Sequence, residues 1–314
     1  MTTYLLKRIV SMVPVLFLVS IVIFSLIHLT PGDPVITMLG EEATLEARDR
    51  LRAQLGLDRP LPVQYAAWLA KVVTGDLGRS IRTNQPVAEA ITERLPVTIQ
   101  LAFLAMAIAM AIALPVGIIA ATRRGTFADI GSTVMCLLGV SMPNFLLAVF
   151  LVYVFSLTLR WLPPIGYISP VQDLLGNLKG MVMPAVTLGV FAAAATARLT
   201  RSSLLEVLGQ DYVRTGYAKG LDERAVIRRH AMKNALIPVV TVVGLQLGNL
   251  LGSAIVTETI FALPGVGRLV VDSIYQRDFP LVQGVTLYLA VIFLVVNLIV
   301  DMIYAYLDPR IRYS

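Results

Sequence analysis

Six long stretches without a charged residue restrict what this sequence can fold into. They run over residues 9–32, 96–122, 130–159, 180–197, 234–257 and 279–300. Each reaches the ~18 residues that a helix needs to cross a bilayer. Backbone amides in lipid must find partners within their own segment, and no stretch shows the alternation typical of a strand, so each is predicted to be a helix. We expect an all-α membrane protein with six transmembrane helices.

The composition argues against a water-soluble class. Of 314 residues, 57% are hydrophobic and 15% are charged, a balance that a soluble domain of this size would not keep as a monomer. The net charge is +6, but the basic residues flank the spans instead of clustering with aromatic residues on a soluble face. Nucleic acid is therefore not an expected partner, and membrane lipid and a cytoplasmic protein account better for the charge.

Cysteine and histidine are too few to build a metal site. Cys136 is the single cysteine and lies within the third predicted span, so it completes neither a disulfide nor a thiolate cluster. His28 and His230 are predicted to face opposite sides of the membrane. We expect no metal ion in this chain.

The distribution of Lys and Arg orients the spans. With the N-terminus inside, the inner segments carry an excess of basic over acidic residues, and the long first outer segment falls in the length range that translocates largely regardless of charge. Both termini are then cytoplasmic. The first apolar run exceeds the ~15 residues typical of a secretory signal and has no small-residue cleavage site after it, so we predict a retained anchor.

These spans divide the chain into segments. We predict an N-terminal transmembrane helix at 1–32, an external insertion at 33–95, a five-helix core at 96–308 with a cytoplasmic loop at 198–233, and a cytoplasmic tail at 309–314. Within the insertion, residues 45–55 and 63–73 have the pattern of short amphipathic helices separated by Gly56 and Pro60.

The cytoplasmic loop at 198–233 is helix-prone and dense in charge. Asp211 is placed to cap a two-turn helix that Gly220 ends in a left-handed conformation. Asp222 is placed to cap a second helix, which runs from Glu223 towards Leu236 and into the fifth span. A short helix held by such a turn can dock into a groove on another protein and transmit its movement to the spans.

The loop residues 212–220, together with Asn234-Ala235-Leu236-Ile237-Pro238, resemble the cytoplasmic "EAA" loop of ATP-binding-cassette (ABC) importer permeases. The resemblance is to the version used by the dipeptide, oligopeptide, glutathione and nickel group. The same group's pattern is echoed at residues 30–34, 75–78, 200–203, 258–267, 277–280 and 308–312.

The resemblance implies a type I ABC importer permease fold in the bacterial inner membrane. It implies pairing with a second, similar permease, two ATP-binding subunits and an extracytoplasmic solute-binding protein. ATP and Mg²⁺ would be bound by the partner subunits, so this chain would carry no cofactor and no catalytic residue. Short peptides (dipeptide, oligopeptide or glutathione) are the substrates it favours, with nickel as the alternative.

The family's coupling contacts carry over by position within the loop. They fall on Tyr212, Arg214, Thr215, Gly216, Ala218, Lys219, Gly220 and Leu221. Two departures from the family pattern are visible: Gly216 stands where alanine is expected, and Lys233 stands where many members have proline. Glycine within a short helix costs ~1 kcal/mol relative to alanine, so Gly216 is expected to loosen this element unless close packing requires it.

Several features have a simpler alternative. The basic loop could bind anionic lipid instead of a protein. Gly244, Gly248 and Gly252 recur every four residues and favour helix packing over lining a pore. Glu258 and Asp301 are functional candidates because charges are costly in hydrocarbon, but both fall near span ends, which favours a structural role.

Two other function classes compete with the permease. An intramembrane enzyme needs facing carboxylates, a metal set or an activated nucleophile at membrane depth, and the sequence shows no such constellation. An ion-driven secondary transporter is usually built from related halves, and no internal repeat is visible. The sequence also lacks any Gly-Lys-Ser/Thr, so the glycine pair at Gly265 and Gly267 is not a phosphate cradle.

Overall fold

The computed structural model describes residues 2–29, 35–36 and 44–307. Within them the regular structure is helical, with one isolated bridge between Arg79 and Pro86, so the predicted all-α class is confirmed. The helices are α1 Thr2–Leu29, α2 Leu45–Leu55, α3 Leu61–Val73, α4 Val87–Thr122, α5 Phe127–Ser141, α6 Asn144–Thr158, α7 Leu174–Leu208, α8 Asp211–Ala218, α9 Glu223–Ile260, α10 Val266–Tyr275 and α11 Phe279–Leu307.

Length and apolar composition qualify α1, α4, α7, α9 and α11 as membrane spans, and the α5–α6 pair adds a sixth if it crosses as one broken span. The two helices of that pair are bent by 100°. The prediction of one continuous helix over 130–159 is therefore wrong. Pro143 has no amide hydrogen to continue the ladder, and the residue before it, Met142, is extended (φ −84°, ψ 120°).

Two helices extend well beyond their predicted spans. α4 begins at Val87 instead of residue 96, and α7 covers 174–208 instead of 180–197. The prediction used the first charged residue as the boundary, but charge marks where lipid ends and not where a helix ends. The motifs at 30–34 and 308–312 and the tail at 309–314 lie outside the described residues.

By its internal contacts the chain forms two compact units. The first comprises Met1–Pro96 with Gly265–Leu294, and the second Val97–Pro264 with Val295–Ser314. Each therefore combines two segments that are distant in the sequence.

In the first unit, the predicted pair of insertion helices is confirmed. Thr44 caps α2 by accepting a hydrogen bond from the Ala47 amide (3.3 Å), and Gly56 ends it with φ +68°. Pro60 then precedes α3, which begins at Leu61, two residues earlier than expected. Pro62 lies in the first turn of α3, where proline is tolerated because the amides there need no partner within the helix.

The helix α3 packs against α1 through aromatic side chains. The hydroxyls of Tyr65 and Ser20 are 2.8 Å apart. The ring of Phe24 lies 5.4 Å from that of Tyr65 and 5.8 Å from that of Trp68, between centroids. Edge-to-face and tilted contacts of this kind add to the stabilisation from apolar burial.

A buried carboxylate joins the two segments of the first unit. Asp278, only 1% exposed, accepts hydrogen bonds from the Ser80 hydroxyl (2.5 Å) and from the amides of Ile81 (3.2 Å), Arg82 (3.5 Å) and Leu281 (3.4 Å). The Arg82 guanidinium donates to the Gln276 carbonyl (3.2 Å). We call this set the Asp278 clasp. Beside it lies an apolar cluster of Val87, Ala90, Ile91, Val266, Leu269, Leu281 and Val285.

The second unit is organised around α7, which contacts α5, α6 and α9. Small residues allow close approach in this unit. A Cβ added to Gly189 would lie 2.7 Å from the Ala105 carbonyl oxygen, and one added to Gly117 would lie 2.8 Å from that of Ala197. Helices in lipid pack through such small residues because no solvent effect drives them together.

The residues singled out on the fifth span have different environments. A Cβ on Gly244 would lie 2.5 Å from Val300 and Gly248 is buried, whereas Gly252 has open space around it. The packing role is therefore confirmed for Gly244, whereas none of the described residues of this chain packs on Gly252. Glu258 is fully buried and accepts a hydrogen bond from the Thr98 hydroxyl (2.6 Å), which supports a structural role.

Candidate functional site

The predicted short helix of the cytoplasmic loop is α8. Its N-cap is Gln210, with extended backbone (φ −77°, ψ 150°), and Asp211 is its first helical residue. The prediction that Asp211 caps the helix is therefore wrong by one position. Its exposed carboxylate instead lies in the first turn, where it is favoured by the helix dipole, and 3.7 Å from Arg214.

The C-terminal end of α8 is the predicted left-handed glycine turn. Gly220 has φ +79°. The Leu221 amide donates to the Gly216 carbonyl (3.3 Å) and the Gly220 amide donates to the Tyr217 carbonyl (2.9 Å). These two bonds form a Schellman motif. A Cβ at Gly220 would meet nothing within 4 Å, so the backbone angle alone restricts this position to glycine or a residue that tolerates it.

After this turn the chain enters α9 and continues without a break into the fifth span. Asp222 is the N-cap (φ −66°, ψ 154°), as predicted, but its side chain makes no capping hydrogen bond. Residues 226–231 of α9 form a π-helical stretch, a feature that often marks functional segments. The predicted order of helix, turn, helix and membrane span is confirmed.

One face of α8 packs against the first turns of α9. Val213 and Gly216 on α8 are buried, as is Val226 on α9. The side-chain amide of Asn234 donates to the Tyr212 hydroxyl (2.9 Å). This bond joins the two parts of the sequence motif, 212–220 and 234–238, which the chain separates by more than a dozen residues. The short helix is thus braced on the helix that enters the membrane.

The opposite face of α8 is exposed. Tyr212, Tyr217 and Leu221 are 42%, 44% and 38% exposed. Arg214, Thr215, Ala218, Lys219 and Gly220 are exposed as well, so Gly216 is the one predicted contact residue that is buried. Aromatic, aliphatic and basic side chains on one short rigid helix form a surface suited to a groove on a partner protein.

Two further features support this region, and neither was predicted from the sequence. Arg201 on α7 donates to both carboxylate oxygens of Asp129 on α5 (2.8 and 3.0 Å), and the Gly125 amide donates to the same carboxylate (3.1 Å). A buried cluster is formed by Ala121, Leu204, Ala231 and Ala235. The motif at 200–203 was a signal for Arg201, but nothing local identified Asp129 as its partner.

Replacing Gly216 by alanine is expected to stabilise α8. The added Cβ would lie 3.6 Å from Val226 and 3.9 Å from Leu221, which is ordinary van der Waals contact. Close packing therefore does not require glycine, and the substitution should contribute ~1 kcal/mol to the helix. We expect amide hydrogen exchange over residues 213–219 to slow by about fivefold. The control Ala218→Gly, at an exposed position, should accelerate exchange; faster exchange in Gly216→Ala would contradict the packing described.

The structure defines the chain as a helical membrane protein with a short helix braced on one of its spans. Two family patterns match it: "Binding-protein-dependent transport system inner membrane component" over residues 113–313 and the corresponding N-terminal component over residues 1–102. The chain therefore belongs to the family of inner-membrane components of binding-protein-dependent transport systems, the ABC importer permeases. The resemblance seen in the sequence is confirmed.

Curated relatives match over the whole chain and over their own whole length. A putative peptide transport system permease protein of Brucella abortus is 46% identical, a dipeptide transport system permease protein of Alkalihalophilus pseudofirmus 44%, and a glutathione transport system permease protein of Shigella flexneri 42%. The solved structure of the MetNI methionine ABC transporter matches with a TM-score of 0.58 at 20% identity, covering 69% of this chain and 95% of that one. That likeness shows the fold.

Proposed function

We propose that this chain is the permease subunit of an ATP-driven importer of short peptides. The observation that carries the proposal is α8, a rigidly braced helix whose exposed face is free to dock on a partner. Relatives named for peptide, dipeptide and glutathione transport support peptides over nickel as the substrate. An ion-driven transporter is disfavoured by the same family membership.

In this proposal the exposed face of α8 seats in a groove on an ATP-binding subunit. ATP and Mg²⁺ are bound there, so the hydrolysis chemistry belongs to the partner. Closure of two such subunits pushes the paired coupling helices together and turns the permeases from inward-open to outward-open, and hydrolysis resets them. Because α8 is packed on α9, a push on it is transmitted to the fifth span.

A polar face on α9 supports pairing with a second permease. Asn249 and Ser253 are exposed and four residues apart, so they lie on one face of the helix, beside the open Gly252. Asn249 and Ser253 lie within the predicted fifth span, and polar groups facing lipid are unfavourable. We propose that this face meets the second permease subunit or the pathway between them.

We also propose a multi-pass inner-membrane location with both termini cytoplasmic, supported by the basic residues of the 198–233 segment. Protease added to inverted membrane vesicles should then cleave that segment, whereas protease added to intact spheroplasts should not. The reverse pattern would contradict the orientation.

The test of function is reconstitution of the assembled transporter. The chain would be co-expressed with a candidate second permease and ATP-binding subunits and placed in proteoliposomes. We expect a peptide-loaded solute-binding protein to stimulate ATP hydrolysis and peptide accumulation, with unloaded and nickel-loaded binding protein as controls. Transport by the lone chain on an ion gradient would instead support a secondary transporter.

A further inference from the structure

The first unit contains a cleft that the coupling mechanism does not use. It has a volume of about 810 Å³, within the range of small-molecule sites. Its walls come from α1, the end of α2 and the loop after it, α3, the loop that follows α3 and the start of α11. One part is apolar, with Phe24, Leu57, Trp68 and Phe279 along it.

The other part of the cleft carries an excess of positive charge. Arg59, Lys71 and Arg79 line it, against one carboxylate, Asp76, which accepts a hydrogen bond from the Gly78 amide (2.9 Å). Among the described residues none of the three cations forms an ion pair, although Arg79 donates to the Asn84 carbonyl (3.1 Å). The cleft is therefore complementary to an anion.

The position of α3 places this cleft at the edge of the membrane. Tyr65 on α3 meets Ser20, which lies inside the first predicted span, and Phe24 lies one turn further along α1. The apolar wall is thus at the level of lipid chains. Lys71, near the end of α3, and Arg59, in the loop before α3, both lie outside the predicted spans. Tryptophan with nearby Lys or Arg is typical of the membrane–water interface.

We propose that this cleft binds an anionic phospholipid. Its anionic headgroup would lie among the cations that line the cleft, Arg59, Lys71 and Arg79, and an acyl chain would lie along Phe24 and Trp68. A free phosphate would leave the apolar wall unused, and a zwitterionic lipid would bring its own cation to a site that already has excess positive charge. Charge and apolar surface together therefore point to an anionic lipid. The proposal is independent of which solute the transporter carries.

Trp68 provides a direct reporter of the occupant. The sequence has two tryptophans, so Trp161→Phe leaves Trp68 alone. The full-length variant would be titrated with phosphatidylglycerol or phosphatidylcholine, each carrying brominated chains that quench nearby indole fluorescence. We expect half-maximal quenching at a roughly tenfold lower mole fraction of phosphatidylglycerol, and loss of this preference in Lys71→Gln/Arg59→Gln.

The matched control is Arg50→Gln, which removes a charge from an exposed position on α2 that does not line the cleft. It should keep the preference, and unchanged circular dichroism and thermal unfolding of all variants would show that they fold. Equal quenching by both lipids, equal effects of Arg50→Gln and the double variant, or relief of quenching by a soluble dipeptide would each overturn the proposal.

Discussion

Valine in place of Gly220 is expected to abolish ATP-coupled uptake while the chain still inserts into the membrane. The native φ of +79° is strongly unfavourable for a β-branched residue, at a cost of ~2 kcal/mol, which is roughly thirtyfold in the population of the native turn. Loss of the turn releases α8 from its fixed position on α9. The measurement is peptide uptake and ATP hydrolysis by the reconstituted transporter, and we expect uptake to fall at least tenfold.

Two variants separate this conformational effect from a loss of contact. Gly220→Asn should retain most uptake, because asparagine tolerates the left-handed region. Gly209→Ala, before α8, should be neutral, since its φ of −79° suits any residue. ATP hydrolysis that persists in Gly220→Val without uptake would identify uncoupling. Uptake by Gly220→Val at the level of the unmodified chain would contradict the coupling assignment.

Alanine in place of Asp278 is expected to open the Asp278 clasp. The carboxylate accepts bonds from one hydroxyl and three amides, of which the Ser80 and Leu281 bonds are buried and the other two partly buried. Its removal takes this acceptor from all four donors, and the Arg82 amide keeps only its bond to the Ser80 hydroxyl (3.2 Å). We expect a local destabilisation of ~3 kcal/mol, on the order of a hundredfold in opening. Hydrogen exchange at the amides of Ile81 and Arg82 in the full-length chain measures this opening.

Asp272→Ala is the matched control for the clasp. Asp272 lies on α10, half exposed, with its carboxylate 3.6 Å from Arg268. An exposed pair of this kind contributes ~0–1 kcal/mol, so exchange at Ile81 and Arg82 should remain near its original rate. Equal acceleration by both variants would mean that the clasp does not hold these segments together.

The short helix α8 was predictable because its determinants are close together in the sequence. The glycine turn at Gly220 and the N-cap at Asp222 depend on the angles and side chains of adjacent residues, and both were found where expected. The N-cap of α8 was predicted at Asp211 but is Gln210, and this error of one position also has a local origin. Side-chain preference indicates a capping region, but neighbouring backbone angles decide which residue takes the cap.

The braces around that helix were not predictable in the same way. Tyr212 with Asn234 and Asp129 with Arg201 pair across distances set by the path of the chain. Taken alone, each of these four side chains could equally well be exposed to water at the membrane surface. The packing of α5 against α7 sets the partner of Arg201, and the packing of α8 against α9 sets that of Tyr212.

The sequence alone determined the all-α membrane class and the location of the apolar spans, because a backbone in lipid must satisfy its hydrogen bonds within each segment. It also determined the turn that ends α8, since that depends on one left-handed residue. Only the tertiary structure decided the 100° bend at Pro143, the bracing of α8 and the Asp278 clasp. A proline is compatible with a kinked, broken or nearly straight membrane helix, so Pro143 alone did not predict the bend. The bracing of α8 and the Asp278 clasp require contacts between residues that are distant in the sequence, and the packing of the whole unit sets which residues pair.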